Sequence, residues 1–207
     1  MKKLLATAAV TAVMAAGLAS PAMADLSANI GYASEYHYRG ILQKESSASA
    51  GIDYEAGGLY LGAWAADVGD GLETDVYGGY NIELGEFTLG AGFTGYYYTG
   101  DFDDTYEEVN LNAGWGFLSV GYSIGEWDGD GGQDYDYLEV PAEHKGFYGT
   151  YGSFGKDFDG DYFQVGYGTE VGGFDLGIAA IFSSKELSDQ DGSSESLIFS
   201  IGKSFDL

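Results

Sequence analysis

Glu35, His37 and Arg39 stand at every second position of one short stretch, a carboxylate, an imidazole and a guanidinium separated by Tyr36 and Tyr38. In an extended strand that spacing puts all three on one face. Asp53, Asp75, Glu83 and Glu108 hold the same phase in later segments. Buried in a dry core, so many charges would be prohibitive. Lining a wet lumen they are ordinary, and acidic rings of this kind favour cations. The plainer alternative is mutual ion pairing that seals a narrow interior. Catalysis is a third chemistry, and the residues do not support it. A hydrolase needs a nucleophile, a base and an orienting group within hydrogen-bond reach. The histidines are His37 and His144; Ser34 lies on the face opposite His37, and His144 sits beside Pro141 in a turn-like segment. The chain is therefore read as no enzyme.

A second acidic group, Asp128, Asp130, Asp134 and Asp136, is interleaved with glycine in DGDGGQDYD. Hard cations want several oxygens from a flexible segment, and Glu139 falls at the twelfth position from Asp128, as the bidentate ligand of a calcium loop would. No flanking helical pattern accompanies it. A solvated acidic loop is the plainer reading and loop-bound calcium or magnesium the alternative; no other cofactor is expected.

The elements that must position these residues are strands. Leu26, Ala28, Ile30, Tyr32, Tyr36 and Tyr38 alternate with Ser27, Asn29, Gly31, Glu35, His37 and Arg39, and Leu197, Phe199, Ile201, Phe205 and Leu207 alternate with small or polar residues near the other end. The same period runs through 47–55, 59–68, 74–84, 87–98, 107–115, 118–124, 161–171 and 174–182, with a polar connection through Arg39, Gln43, Lys44 and Glu45 between the first two. Residues 134–154 read as a hairpin joined by Pro141–Lys145, giving about twelve strands. Read as one long loop, they leave about ten. Both counts are even, as bacterial single-chain barrels require. Tight turns such as Gly57-Gly58, Gly85-Glu86 and Gly172-Gly173 alternate with longer acidic loops at 68–73, 99–105, 127–134, 155–161 and 183–194, the asymmetry of short periplasmic turns and long external loops. Outward aromatics, including Tyr36, Tyr38, Tyr97 and Trp115, read as interfacial belts. The fold class is all-β: an antiparallel up-and-down transmembrane β-barrel with an apolar face toward lipid.

Residues 1–24 look like a cleaved secretory signal peptide: Lys2 and Lys3, an apolar run over Leu4–Leu18, and Ala22-Met23-Ala24 before Asp25. Residues 25–207 then form one barrel domain. Its removal takes two lysines from a chain whose net charge is already −25, a sign that argues against nucleic-acid binding. There is no cysteine to staple an extracellular fold. With 35 glycines, 2 prolines, 18 tyrosines and 12 phenylalanines, the chain is too aromatic for a disordered segment and suits crowded barrel strands.

SANIGYASEYHYRGILQ, then GIDY, GGLYLGAWAADV and ETDVYGGY, resemble the first half of the TorF family of porins, and FQVGYGTEVGGFDLGIA resembles that family's penultimate hairpin. The segment Tyr38-Arg39-Gly40 with Gln43 is the most specific piece. The resemblance implies an outer-membrane barrel of a Gram-negative bacterium and hands over no catalytic site. Together the readings predict a narrow, cation-preferring channel for passive diffusion of small hydrophilic solutes. The rival is a closed barrel whose acidic external loops bind cations or a partner. Its surroundings would be outer-membrane lipid, lipopolysaccharide and the barrel-assembly machinery.

Overall fold

The computed structural model describes residues 24–188 and 192–207; the expected leader lies outside them except for Ala24. Twelve strands follow one another: β1 (Asp25–Tyr38), β2 (Ile41–Ala56), β3 (Leu59–Asp67), β4 (Leu72–Leu84), β5 (Phe87–Tyr98), β6 (Tyr106–Trp115), β7 (Leu118–Trp127), β8 (Gln133–His144), β9 (Phe147–Lys156), β10 (Asp161–Val171), β11 (Phe174–Ser183) and β12 (Ser194–Asp206). Each pairs antiparallel with its neighbours in sequence, and β1 closes on β12 from Ser27↔Asp206 to Ala33↔Ser200. Closure pairs every strand on both sides, as a hydrocarbon environment demands, except at the outer end, where β12 before Ser200 lacks β1 and β2 before Ser49 lacks β3.

The ten-strand alternative does not hold. β8 and β9 pair from Tyr135↔Lys156 to His144↔Phe147, and the joint is Lys145-Gly146 rather than Pro141–Lys145. Pro141 stays inside β8. It has no N–H to give the ladder, and the β7–β8 pairs lapse between Gly121↔Glu139 and Leu118↔Ala142.

Period-two alternation assigns the two faces. Outside stand Ile30, Ile52, Leu61, Val76, Leu89, Leu111, Ile124, Val165, Ile178 and Phe199, all substantially exposed. Near the short turns the exterior becomes aromatic: Phe87 stacks on Trp115 with centroids 6.1 Å apart, and Phe147 meets Tyr167 at 4.7 Å. Amphipathic rings at that height are the mark of a membrane interface. In a soluble protein such a continuous apolar exterior would demand a partner; around a barrel, lipid covers it.

The expected polar connection of Arg39–Glu45 is instead a two-residue turn, with β2 already running from Ile41. Arg39 and Gly40 both take positive φ, 47° and 90°, the requirement of the tight turn whose twist matches its strands. The β1–β12 pairing ends at Ala33, while β1 and β2 stay paired to Tyr38↔Ile41 through a register shift between Tyr36 and His37. Freed from β12 on one side and bulged on the other, the hairpin end leaves the wall and bends into the barrel. Bulges near barrel rims re-aim side chains in this way.

Candidate functional site

Tyr36 and Tyr38, expected outside as belt residues, lie inside, because strict alternation fails where the hairpin leaves the wall. Tyr36 donates to Glu73 of β4 and meets Trp64 edge-to-face at 5.7 Å. Tyr38 meets Tyr96 of β5 at 5.2 Å. Tyr97 and Trp115 do face outward. Gly40 fits against β10, β11 and the turn after them: a Cβ there would stand 2.8 Å from the Tyr162 Cβ and 2.9 Å from Leu187, and Ser183 of β11 donates to the Gly40 carbonyl at 2.6 Å.

Arg39 crosses the lumen from the tip of this hairpin. Its Nη1 and Nη2 donate to the two Glu108 oxygens of β6 at 2.9 and 2.7 Å. This is the bidentate geometry in which guanidinium and carboxylate match best. Glu108 is saturated on the protein side. Oε1 also accepts from Tyr96 at 3.0 Å and Asn110 at 2.7 Å, and Oε2 accepts from Tyr135 of β8 at 2.9 Å. Asn110 donates in turn to Ser123 of β7 at 3.0 Å. The guanidinium carbon lies 4.0 Å from the Tyr137 ring centroid and 5.1 Å from that of Tyr38, where an aromatic face attracts a cation. Arg39 and Glu108 are 7 % and 5 % exposed. The strands behind this knot carry Tyr135, Tyr137, Phe154, Tyr162 and Ile181 inward as a packed cluster under Leu187.

The remaining expected lumen residues divide by height. Glu35 and His37 pair with each other, Nε2 to Oε2 at 2.9 Å. Asp75 is buried on β4, level with Tyr96, and its Oδ1 has no hydrogen-bond partner. Asp53 lies lower, accepting from Asn29 at 3.3 Å and from Tyr77. Glu83 stands near the short-turn end of β4, opposite Thr88. Arg39 and Glu108 are joined; Asp53 and Glu83 belong to a separate, lower tier. That tier is lined by small residues, and Gly62, Gly79, Gly92 and Gly166 give way to the rings of Tyr77, Tyr60 and Tyr148 lying against the wall.

Two acidic residues stand outside the set expected to face the lumen: Glu73 is absent from it, and Glu139 enters the sequence reading only as the last position of a calcium-loop pattern. Glu73 is wholly buried, with Oε2 unpartnered. Glu139 accepts from Tyr137 and Tyr162, each at 3.4 Å. The signal for Glu73 was its phase with Asp75; starting that strand at Thr74 hid it. Glu139 shares the phase of Tyr135 and Tyr137. The four loop aspartates do not converge. Asp128 and Asp130 flank and occupy a short 3-10 turn at Gly129–Gly131, the Asp134 amide donates to Asp157 at 3.0 Å, and Asp136 is on β8. Among the described residues no group of three or more acidic, histidine or cysteine side chains is placed to hold a metal ion.

A model of the Gcw_chp family, bacterial proteins of unknown function, matches residues 15–148, and the chain belongs to that family. No curated protein matches the sequence. Among solved structures, one from a study of the in-meso crystallisation of membrane proteins superposes with a TM-score of 0.62 at 9 % identity, over 88 % of this chain and 84 % of that one. This likeness is one of fold. Pseudomonas aeruginosa OccK2 (OpdF), solved with glucuronate, gives a TM-score of 0.44 at 14 % identity, over 79 % of this chain and 58 % of that protein. A BenF-like porin from Pseudomonas fluorescens Pf-5 gives 0.42 at 13 % identity, over 79 % and 56 %.

Proposed function

We propose that this barrel spans the outer membrane as a porin-like channel for small hydrophilic solutes, prefers cations, and carries its own constriction in the β1–β2 hairpin. The observation that carries the reading is the inward charge set. Glu73, Asp75, Glu108 and Glu139 face the outer half of the lumen around Arg39, inside a barrel whose exterior is apolar. An acidic passage between low-dielectric walls concentrates cations and repels anions. The resemblance of Tyr38-Arg39-Gly40 and its flanks to TorF porins supports the same class.

The test is a planar-bilayer recording in a KCl gradient. A cation-directed reversal potential is expected, weakened by Glu35→Gln with Asp75→Asn. An anion-directed potential would overturn the preference. Absence of conductance would overturn the channel and favour a closed barrel with acidic external loops, a reading that the hairpin packed across the lumen also supports.

A further inference from the structure

We infer that the wall formed by β5–β8 is a binding site for small guanidinium-bearing solutes, and that Arg39 is its tethered occupant. The receptor belongs to a different part of the barrel from the occupant. Tyr96 is supplied by β5, Glu108 and Asn110 by β6, Ser123 by β7, and Tyr135 and Tyr137 by β8, whereas Arg39 arrives on the β1–β2 turn from across the lumen. Every wall group is already oriented for a planar, forked cation. Glu108 offers both oxygens side by side and is held by Tyr96, Asn110 and Tyr135. The Tyr96 hydroxyl and Ser123 Oγ lie 3.4 and 3.5 Å from Nη2, and the Tyr137 face lies 4.0 Å from the guanidinium carbon.

Such a site discriminates by shape. An ammonium offers a point charge, without the parallel pair of donors that meets a carboxylate edge. The approach is acidic as well. Glu73 is level with Tyr98, Asp75 with Tyr96 and Glu108 with Thr94, so three carboxylates step downward from the mouth. The first two each keep a buried oxygen without a hydrogen-bond partner. Both are buried beneath the hairpin's packing, so a guanidinium would meet them as the hairpin loosens and before it displaces Arg39. The inference deepens the cation-preferring channel and rests on it for the route of entry alone; binding itself does not require conduction.

The experiment vacates the site and refills it from solution. The full chain and its Arg39→Ala variant are purified in detergent and titrated calorimetrically with methylguanidinium chloride, using sodium chloride at equal ionic strength as the blank. The wild type should show no saturable heat at low millimolar probe, because Arg39 holds the site. Arg39→Ala should bind saturably, and ethylammonium should bind it more weakly. Adding Glu108→Gln should weaken the probe about tenfold or more, the worth of a hydrogen-bonded charge. Strand content and the gel-mobility shift on heating establish that each variant is folded. If Arg39→Ala does not fold alone, methylguanidinium present during refolding should raise its folded yield, and Arg39→Gln supplies a second vacated site for titration. A folded Arg39→Ala that fails to bind, binding indifferent to Glu108, or refolding without rescue would overturn the site. A wild-type barrel that conducts no ions, beside an Arg39→Ala barrel that binds, would overturn the channel and leave this site standing.

Discussion

The Arg39–Glu108 pair joins the tip of one hairpin to the opposite wall, and its energetics are open to a double-mutant cycle. Glu108→Gln preserves the shape of the acceptor but leaves a guanidinium, 7 % exposed, without its bidentate partner. Arg39→Met keeps much of the stem and leaves a carboxylate, 5 % exposed, surrounded by Tyr96, Asn110 and Tyr135. Removing one partner of a buried pair costs about 3–5 kcal/mol because the other charge stays desolvated. Three kcal/mol is about a hundredfold in the unfolding constant. The double variant removes both charges and should cost no more than either single change, giving a coupling within the roughly 1.5–7 kcal/mol measured for close charge pairs elsewhere. The assay is the urea midpoint of the barrel in detergent, read by the gel-mobility shift and circular dichroism, with slopes compared so that altered compactness is not mistaken for altered stability. Additive single effects would refute the reasoning, since they would mean that the pair is wet and the hairpin is not locked. A loss confined to Glu108→Gln, with Arg39→Met neutral, would point instead to the tyrosine and asparagine donors of Glu108 as the main support.

Gly40→Ala should release the same hairpin without touching a charge: its φ of 90° costs a side-chain-bearing residue roughly 1–2 kcal/mol, and the new methyl meets Tyr162 and Leu187. Faster proteolysis within 36–44 and higher conductance are expected, and unchanged values of both would contradict the packing. The two faces separate on β6, where Leu111→Arg on the outer face should cost about 2–4 kcal/mol near the bilayer centre while the adjacent inward Asn112→Arg costs far less in the urea midpoint; an equal cost at both would make the inner face as dry as the outer. Tags near Asp103 should be accessible on intact cells and a tag at Gly57 should not, with the reverse pattern inverting the topology.

The alternation within β4, β5 and β6 was legible because each strand obeys one rule: every second side chain faces lipid, and the rest face the lumen. Asp75, Glu83 and Glu108 fall inside for that reason alone. The hairpin tip was not legible in the same way. From Ser34 to Lys44 the chain belongs to neither face of the wall, so period-two reasoning carried Tyr36 and Tyr38 outward. Arg39 lies inside by way of the turn it occupies, not by the phase of a strand, which ends at Tyr38. Its partner, 69 residues away in sequence, follows from closure of the barrel, which no local pattern contains. Pro141 misled in the opposite direction. A proline beside His144 resembles a turn, but one lapse in a ladder is tolerated when the other neighbouring strand continues to pair.

The division of the lumen into two tiers follows from what each must do. Below the knot, glycines give room to tyrosine rings, and Asp53 finds its partners within two strands of its own. Around and behind the knot, Tyr135, Tyr137, Tyr162 and Phe154 pack as one cluster, and apolar residues of that kind would have sufficed to close the barrel. A buried ion pair is a weak source of stability compared with well-packed hydrophobic residues of similar volume. An arginine at this position is therefore better explained by what it can do than by what it holds together. Its charge is attracted by Glu108 in a dry cage, and in the proposed channel a cation entering past Glu73 and Asp75 would compete for the same carboxylate. A leucine in its place would close the lumen against every solute equally. In the channel proposed here, an arginine would make closure depend on the ionic content of the passage, and Arg39 is the one guanidinium that the sequence supplies for it.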